Sequence, residues 1–214
     1  MTGTAGDHQV YGLTKARIEA LTDGIFAFAM TLLVTTLELP TVSGATPSMD
    51  VARILLENFP GFLHYVIAFA ALAGFWVGHH MQFHALRFVD RRMIGLNIAL
   101  LLFVALVPFS TDLVGDYPDI ALASIIFEAN LFVIGGIMYL QWLYATEGRR
   151  LVVPEMSDAD ISTGVRRNLV LPGVSLTGIV LSLLGVGGTT LIYVTVPPLL
   201  HAAGKWKVQN RKSG

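Results

Sequence analysis

Titratable side chains meet long apolar runs at three places in this sequence: Asp23, Glu128, and the cluster His79, His80 and His84 in HHMQFH. His80 and His84 stand four residues apart, one helical turn, and could share a metal ion. A membrane di-iron enzyme needs several such boxes, and His8, His64 and His201 are scattered. Hydrogen bonding from a helix end to its neighbours is the other reading of the cluster. There is no cysteine, which excludes disulfides, thiolate metal sites and thiol nucleophiles. No Gly-rich phosphate loop, serine elbow or basic–aromatic patch points to an enzyme or a nucleic-acid partner.

Asp23 lies in RIEALTDGIFAFAMTLLVTTLEL, Arg17 to Leu39, where fourteen uncharged residues run from Gly24 to Leu37. A bilayer crossing needs about 20 residues at 1.5 Å rise each, so the helix must begin near Thr14, with Asp23 two or three turns inside it. A carboxylate facing lipid at mid-depth costs roughly 2.5–3.5 kcal/mol on insertion scales, so Asp23 faces protein, water or an ion path. A packing role and a transport role both satisfy that requirement. Glu128 and Asn130 sit near one end of another apolar run; partial solvation there, or a place in a proton path, are the two accounts of Glu128.

The elements that hold these residues are membrane helices. Of 214 residues, 54% are hydrophobic and 14% charged, mean hydropathy is +0.65, and charges fall in islands between long apolar runs. The polar, glycine-rich start has no basic region with a cleavage site, so the first span reads as an uncleaved anchor. Pro40–Asp50 reads as a loop and Val51–Phe59 as a short surface helix. Between Glu57 and Arg87 lie 29 residues without Asp, Glu, Lys or Arg. From Asn168 to Gly204 there are 37 without formal charge, about 55 Å as one helix and too long for a core of roughly 30 Å. Gly185, Gly187 and Gly188 divide that run into two short spans, and Pro197 and Pro198 kink or end the last. The expectation is an all-α membrane protein, one domain over residues 1–214 with six transmembrane helices at about 14–39, 60–84, 93–111, 120–146, 168–185 and 189–203. A polar connection fills 147–167.

Charge tests this count. With six spans, every Lys and Arg of the 14 except Arg53 falls on the side of the termini, while Asp50, Asp112, Asp116 and Asp119 lie opposite. The positive-inside rule then places both termini in the cytoplasm, with the basic tail Lys205–Gly214 at the interface. On a 100° wheel Gly24, Phe28, Thr31, Leu32 and Thr35 share one face of the first helix, Glu38 is at its rim, and Asp23 points elsewhere. Bulky apolar groups alternating with hydroxyls suit a narrow pore, where apolar rings gate by dewetting and hydroxyls replace hydration. Ordinary helix packing uses the same small and hydroxyl residues.

Arg17–x–x–x–Leu21–Thr22–Asp23–Gly24 resembles the RxxxFSDG signature that opens the first helix of the transmembrane protein 175 family of potassium channels. FWVGHHMQFHALRFVDRRMIGLN and LLLFVALVPFSTDLVGDYP, between Phe75 and Pro118, are similar to the second and third helices of its prokaryotic members. The resemblance implies six-helix units with cytoplasmic termini in a prokaryotic cell membrane, and a pore lined by the first helix that passes potassium in preference to sodium. One signature per chain implies a homotetramer, and one helix cannot enclose a pore without copies around an axis. Counted from Asp23, the family's constriction falls on Phe28, Leu32 and Thr35, with Thr31 among them, the same face the wheel selects. Phe28 stands where the family usually has Ile or Leu, and Thr35 where it often has Leu. Leu21 and Thr22 replace the usual Phe and Ser.

The resulting expectation is a cation channel with no catalytic residue, no bound metal and no cofactor, potassium being the permeant ion, and with the lipid bilayer but no nucleic acid as partner. Phe28, Leu32 and Thr35 form the narrow apolar zone and Thr31 supplies hydroxyl coordination. Arg17, Thr22, Asp23 and Gly24, with His79, His80 and Asn97, hold the first helix against its neighbours and bias opening. The alternatives are a secondary or proton-coupled transporter using Asp23 and Glu128, and a metal-dependent membrane enzyme at His79, His80 and His84.

Overall fold

A computed structural model describes residues 14–37, Arg53, Leu56 and 58–204; Glu38, most of the loop and surface helix after it, and the basic tail lie outside the described residues. Seven α-helices are described. Helix α1 is Lys15–Leu32, α2 Phe59–His84, α3 Arg91–Ala105, α4 Val107–Asp116, α5 Ala121–Thr146, α6 Asp158–Leu183 and α7 Val196–Ala202. Among the described residues, four segments are long and apolar enough to cross a membrane: Lys15–Thr36, Phe59–His84, Arg91–Asp116 and Ala121–Arg149.

Three helix starts are capped by a side chain. The Thr14 hydroxyl accepts from Arg17 N, the Asp90 carboxylate from Met93 N at 2.9 Å, and the Ser157 hydroxyl from Asp160 N, so helix-end donors that would otherwise be orphaned are satisfied. The third span bends at Leu106, because Pro108 in the next turn has no N–H to continue the ladder. Helix α1 ends as an α-helix at Leu32 and tightens to a 3-10 turn over Leu33–Thr36, rather than continuing unbroken toward Leu39.

Two other expected boundaries move. Helix α6 begins at Asp158, ten residues before the expected 168, since Ser157 caps it and Asp158 and Asp160 complement the positive end of the helix dipole. Apolar periodicity does not mark that polar first turn. The connection before it is also less polar than its charges suggest. Leu151 and Val152 are buried, and a bridge pairs Leu86 with Val152, flanked by Arg87 N to Leu151 O at 2.9 Å and Val153 N to Ala85 O at 3.0 Å. The break after α6 falls where glycine places it, with positive φ at Gly185 (79°) and Gly188 (68°). Beyond that break the chain forms a 3-10 stretch, Thr189–Thr195, and the seven residues of α7, not a regular span.

Helices α5 and α6 form the tightest pair, antiparallel, and three glycines set their separation. A Cβ on Gly164 would lie 2.4 Å from the Trp142 ring, one on Gly135 2.7 Å from Pro172, and one on Gly178 2.4 Å from the Glu128 carboxyl carbon. Small residues let membrane helices approach where no hydrophobic effect drives them together. The main core joins α1 to the rest through Phe26, Leu33, Phe75, Leu100, Phe127 and Leu131, and a second cluster around Ile18, Phe83, Met93 and Leu151 closes one end.

Candidate ion pathway

Helix α1 has two unlike faces. Ile18, Thr22, Phe26, Ala29 and Leu33 are buried against the chain's own helices, a stripe at three- and four-residue spacing. On the other side Gly24, Phe28, Thr31 and Thr35 are exposed, Phe28 at 63%, while Leu32 is half-buried at the edge. The shared face expected from the wheel is therefore the unpartnered face of a single chain, with Leu32 turned partly inward. Thr35 lies in the 3-10 turn, where each residue advances about 120° instead of about 100°, and remains exposed.

The hydroxyls on this face are oriented. Thr31 Oγ1 donates to Ala27 O at 2.8 Å, and Thr35 Oγ1 donates to Leu32 O at 2.7 Å. A hydroxyl has one proton, so each turns only lone pairs outward. Toward the free face these two groups act as acceptors, suited to a cation and not to an anion.

Behind the face, a buried hydrogen-bond chain ties α1 to α2 and α3. Thr22 Oγ1 donates to Ile18 O at 2.9 Å, and Asn97 Nδ2 donates to Thr22 Oγ1 at 2.9 Å. His79 Nε2 meets Asn97 Oδ1 at 2.7 Å. The order of donors is set by its first member. A carbonyl only accepts, so Thr22 must accept from the amide nitrogen of Asn97, whose oxygen then faces His79. His79 must carry its proton on Nε2. Its ring also stacks on Phe83 at 4.1 Å between centroids. Thr22, His79 and Asn97 are each at most 2% exposed, so every link is sealed from water.

A second tie is exposed. Asp23 points away from the Phe28 face, as expected, and accepts from Trp76 Nε1 at 2.8 Å; His80 lies beside that indole, centroids 6.1 Å apart. Trp76 is thus a partner for the carboxylate, a pairing across 53 residues that sequence spacing does not reveal. Lys15 Nζ adds a contact to Leu86 O at 2.9 Å. The Arg17 side chain is exposed and meets no hydrogen-bond or ionic partner among the described residues.

The histidine cluster is dispersed. His79 turns inward to Asn97 and His80 outward to Trp76, while His84 is exposed, and no group of three His, Asp or Glu positioned to hold a metal occurs among the described residues.

Glu128 differs from the expectation of partial solvation. It is 0% exposed, and Tyr193 Oη donates to its Oε2 at 2.5 Å, with Ser175 2.8 Å behind the same hydroxyl. Oε1 has no hydrogen-bond partner among the described residues. The return of the chain after Gly188 brings Tyr193 over the carboxyl, which linear spacing could not show. Asp23 and Glu128 have separate partners on different helices, and no hydrogen-bonded path among the described residues joins them.

Membrane-length apolar helices define an integral membrane protein, and the first of them carries hydroxyl acceptors on its exposed face. The family model of the endosomal/lysosomal potassium channel TMEM175 matches residues 17–108. A potassium channel of Chamaesiphon minutus is 28% identical over 173 residues, 79% of this chain and 85% of that protein. A potassium channel of Streptomyces collinus is 34% identical over 103 residues, 48% of each protein. The crystal structure of a lysosomal potassium-selective channel TMEM175 homolog from Chamaesiphon minutus superposes with a TM-score of 0.71 at 25% identity, over 89% of this chain and 98% of that one. The chain is similar to the TMEM175 family over residues 17–108 and to a potassium channel over most of its length, and it is an ion channel.

Proposed function

We propose that this chain assembles as a homotetramer in a prokaryotic cell membrane and conducts potassium in preference to sodium along an axis lined by four copies of α1. The observation that carries this reading is the exposed face of Phe28, Thr31 and Thr35, set opposite the stripe that α1 buries in its own subunit. Phe28 shares that face with the hydroxyls of Thr31 and Thr35, a mix that suits a path between copies arranged around an axis. Phe28, Leu32 and Thr35 form the constriction, and Thr31 presents its hydroxyl oxygen in place of water around the ion. Arg17, Thr22, Asp23, Gly24, His79, His80 and Asn97 set where each α1 stands relative to the axis. The six-span count, with both termini in the cytoplasm, rests on the charge distribution together with the reversal at Gly185–Gly188.

Potassium and sodium fluxes into vesicles holding the purified protein test the reading, beside subunit number by native mass measurement. Phe28→Ala and Thr31→Ala are expected to change the rates or their ratio. Unchanged rates for both ions in both variants would show that the path lies elsewhere.

A further inference from the structure

A cleft of about 310 Å³ lies between α2, α5, α6 and α7, with no residue of α1 in its lining. Its walls are apolar and low: Gly74 and Gly78 of α2 form one side, and Leu171 and Leu200 the other. A Cβ on Gly74 would meet nothing within 4 Å, so the floor there is open space, not a helix contact. From Ala73 to Met81 the cleft runs along α2 for about 12 Å at 1.5 Å per residue.

One end of this apolar cleft holds a cation. Arg167 is half-buried, and its Nη1 donates to Gly204 O at 2.9 Å and Leu200 O at 3.4 Å. Two carbonyls orient the guanidinium without neutralising it. No carboxylate pairs with Arg167 among the described residues, and its Nε and Nη2 have no partner there. The neighbouring Arg166 differs, because its nitrogens reach Ala203 O, Ser162 and Thr163. In sequence, the residues after Gly204 include Lys205, Lys207, Arg211 and Lys212 and no Asp or Glu. An uncompensated charge bordering hydrocarbon is costly, and a guanidinium with free N–H groups matches a phosphate.

We propose that the cleft binds an anionic phospholipid, its phosphate on Arg167 and an acyl chain along Gly74 and Gly78. Embedding in the bilayer supplies the occupant, because an open apolar cleft beside a membrane helix meets acyl chains. Only the leaflet, the cytoplasmic one, depends on the proposed orientation; lipid retention does not.

Native mass spectrometry of the full chain in detergent, offered equal phosphatidylglycerol and phosphatidylcholine, reads the site. Phosphatidylglycerol should be retained about tenfold over phosphatidylcholine, the scale of one charge-assisted contact. Arg167→Gln should bring the two near parity, Arg167→Lys should keep part of the preference, and Gly74→Leu should reduce retention of both. A photoreactive residue at Val77 in vesicles of either lipid should label lipid. Equal retention by the unaltered chain, a preference that survives Arg167→Gln, displacement of the lipid by inorganic phosphate, or labelling of a second copy from Val77 would each overturn the assignment.

Discussion

The indole nitrogen of Trp76 donates to the carboxylate of Asp23 at 2.8 Å, tying α1 to α2 across 53 residues of sequence. The bond is exposed in one chain, so its contribution to stability is small, and its effect on the position of α1 is the larger consequence. Trp76→Phe should lower thermal stability in detergent by less than about 1 kcal/mol. It should nonetheless change ion flux measurably. Asp23→Asn, which keeps an acceptor for the indole, should change flux less than Asp23→Leu; equal effects would show that charge, not the bond, is what matters.

The Thr22–Asn97–His79 chain predicts the opposite balance. Asn97→Leu leaves the buried His79 imidazole without its acceptor, at a cost of roughly 1–3 kcal/mol, and removes one of two bonds at the Thr22 hydroxyl, which keeps Ile18 O. Unfolding in detergent should show that loss. Asn97→Asp keeps an acceptor for His79 Nε2 but cannot donate to Thr22, so it should fall between the parent and Asn97→Leu.

At Thr31 the shape and the oxygen can be separated. Thr31→Val keeps the volume and removes the lone pairs, and should lower the potassium-to-sodium flux ratio several-fold. Thr31→Ser, whose hydroxyl can still donate to Ala27 O, should preserve it. A ratio equal in the two variants would assign selectivity to the apolar ring.

The α5–α6 contact gives a stability prediction independent of conduction. Gly178→Ala drives a methyl into the Glu128 carboxyl, and Gly164→Ala drives one into Trp142; neither neighbour is a free chain end. Overpacking of this kind costs about 1–3 kcal/mol. Gly136→Ala, with nothing within 4 Å of the new carbon, should be tolerated. Folded yield and melting temperature compare the three.

Topology can be read chemically, because the chain has no cysteine of its own. A single cysteine replacing exposed Asp116 should react with an impermeant maleimide from outside intact cells. One replacing exposed Glu155 should react only after permeabilisation. The reverse pattern would invert the proposed orientation.

Much of this was legible in the residues themselves. Charge-free runs marked the helices, because a bilayer tolerates little else, and the spacing of Phe28, Thr31 and Thr35 fixed a common face, because helical period is a local property. The same local logic put Asp23 off that face. Boundaries made by capping, such as Ser157 ahead of α6, carried no hydrophobic signal and were displaced by ten residues.

The tertiary structure alone decided which distant side chains became partners. Nothing in the sequence near Asp23 names Trp76, and nothing near Glu128 names Tyr193; both pairings are made by helices returning across the bundle. Burial was decided in the same way, since Glu128 lies near a helix end in sequence yet is sealed by Gly178 of α6 and the turn after Gly188. Periodicity reports what one helix repeats along itself. Which groups lose water, and to whom, depends on the shapes that meet them.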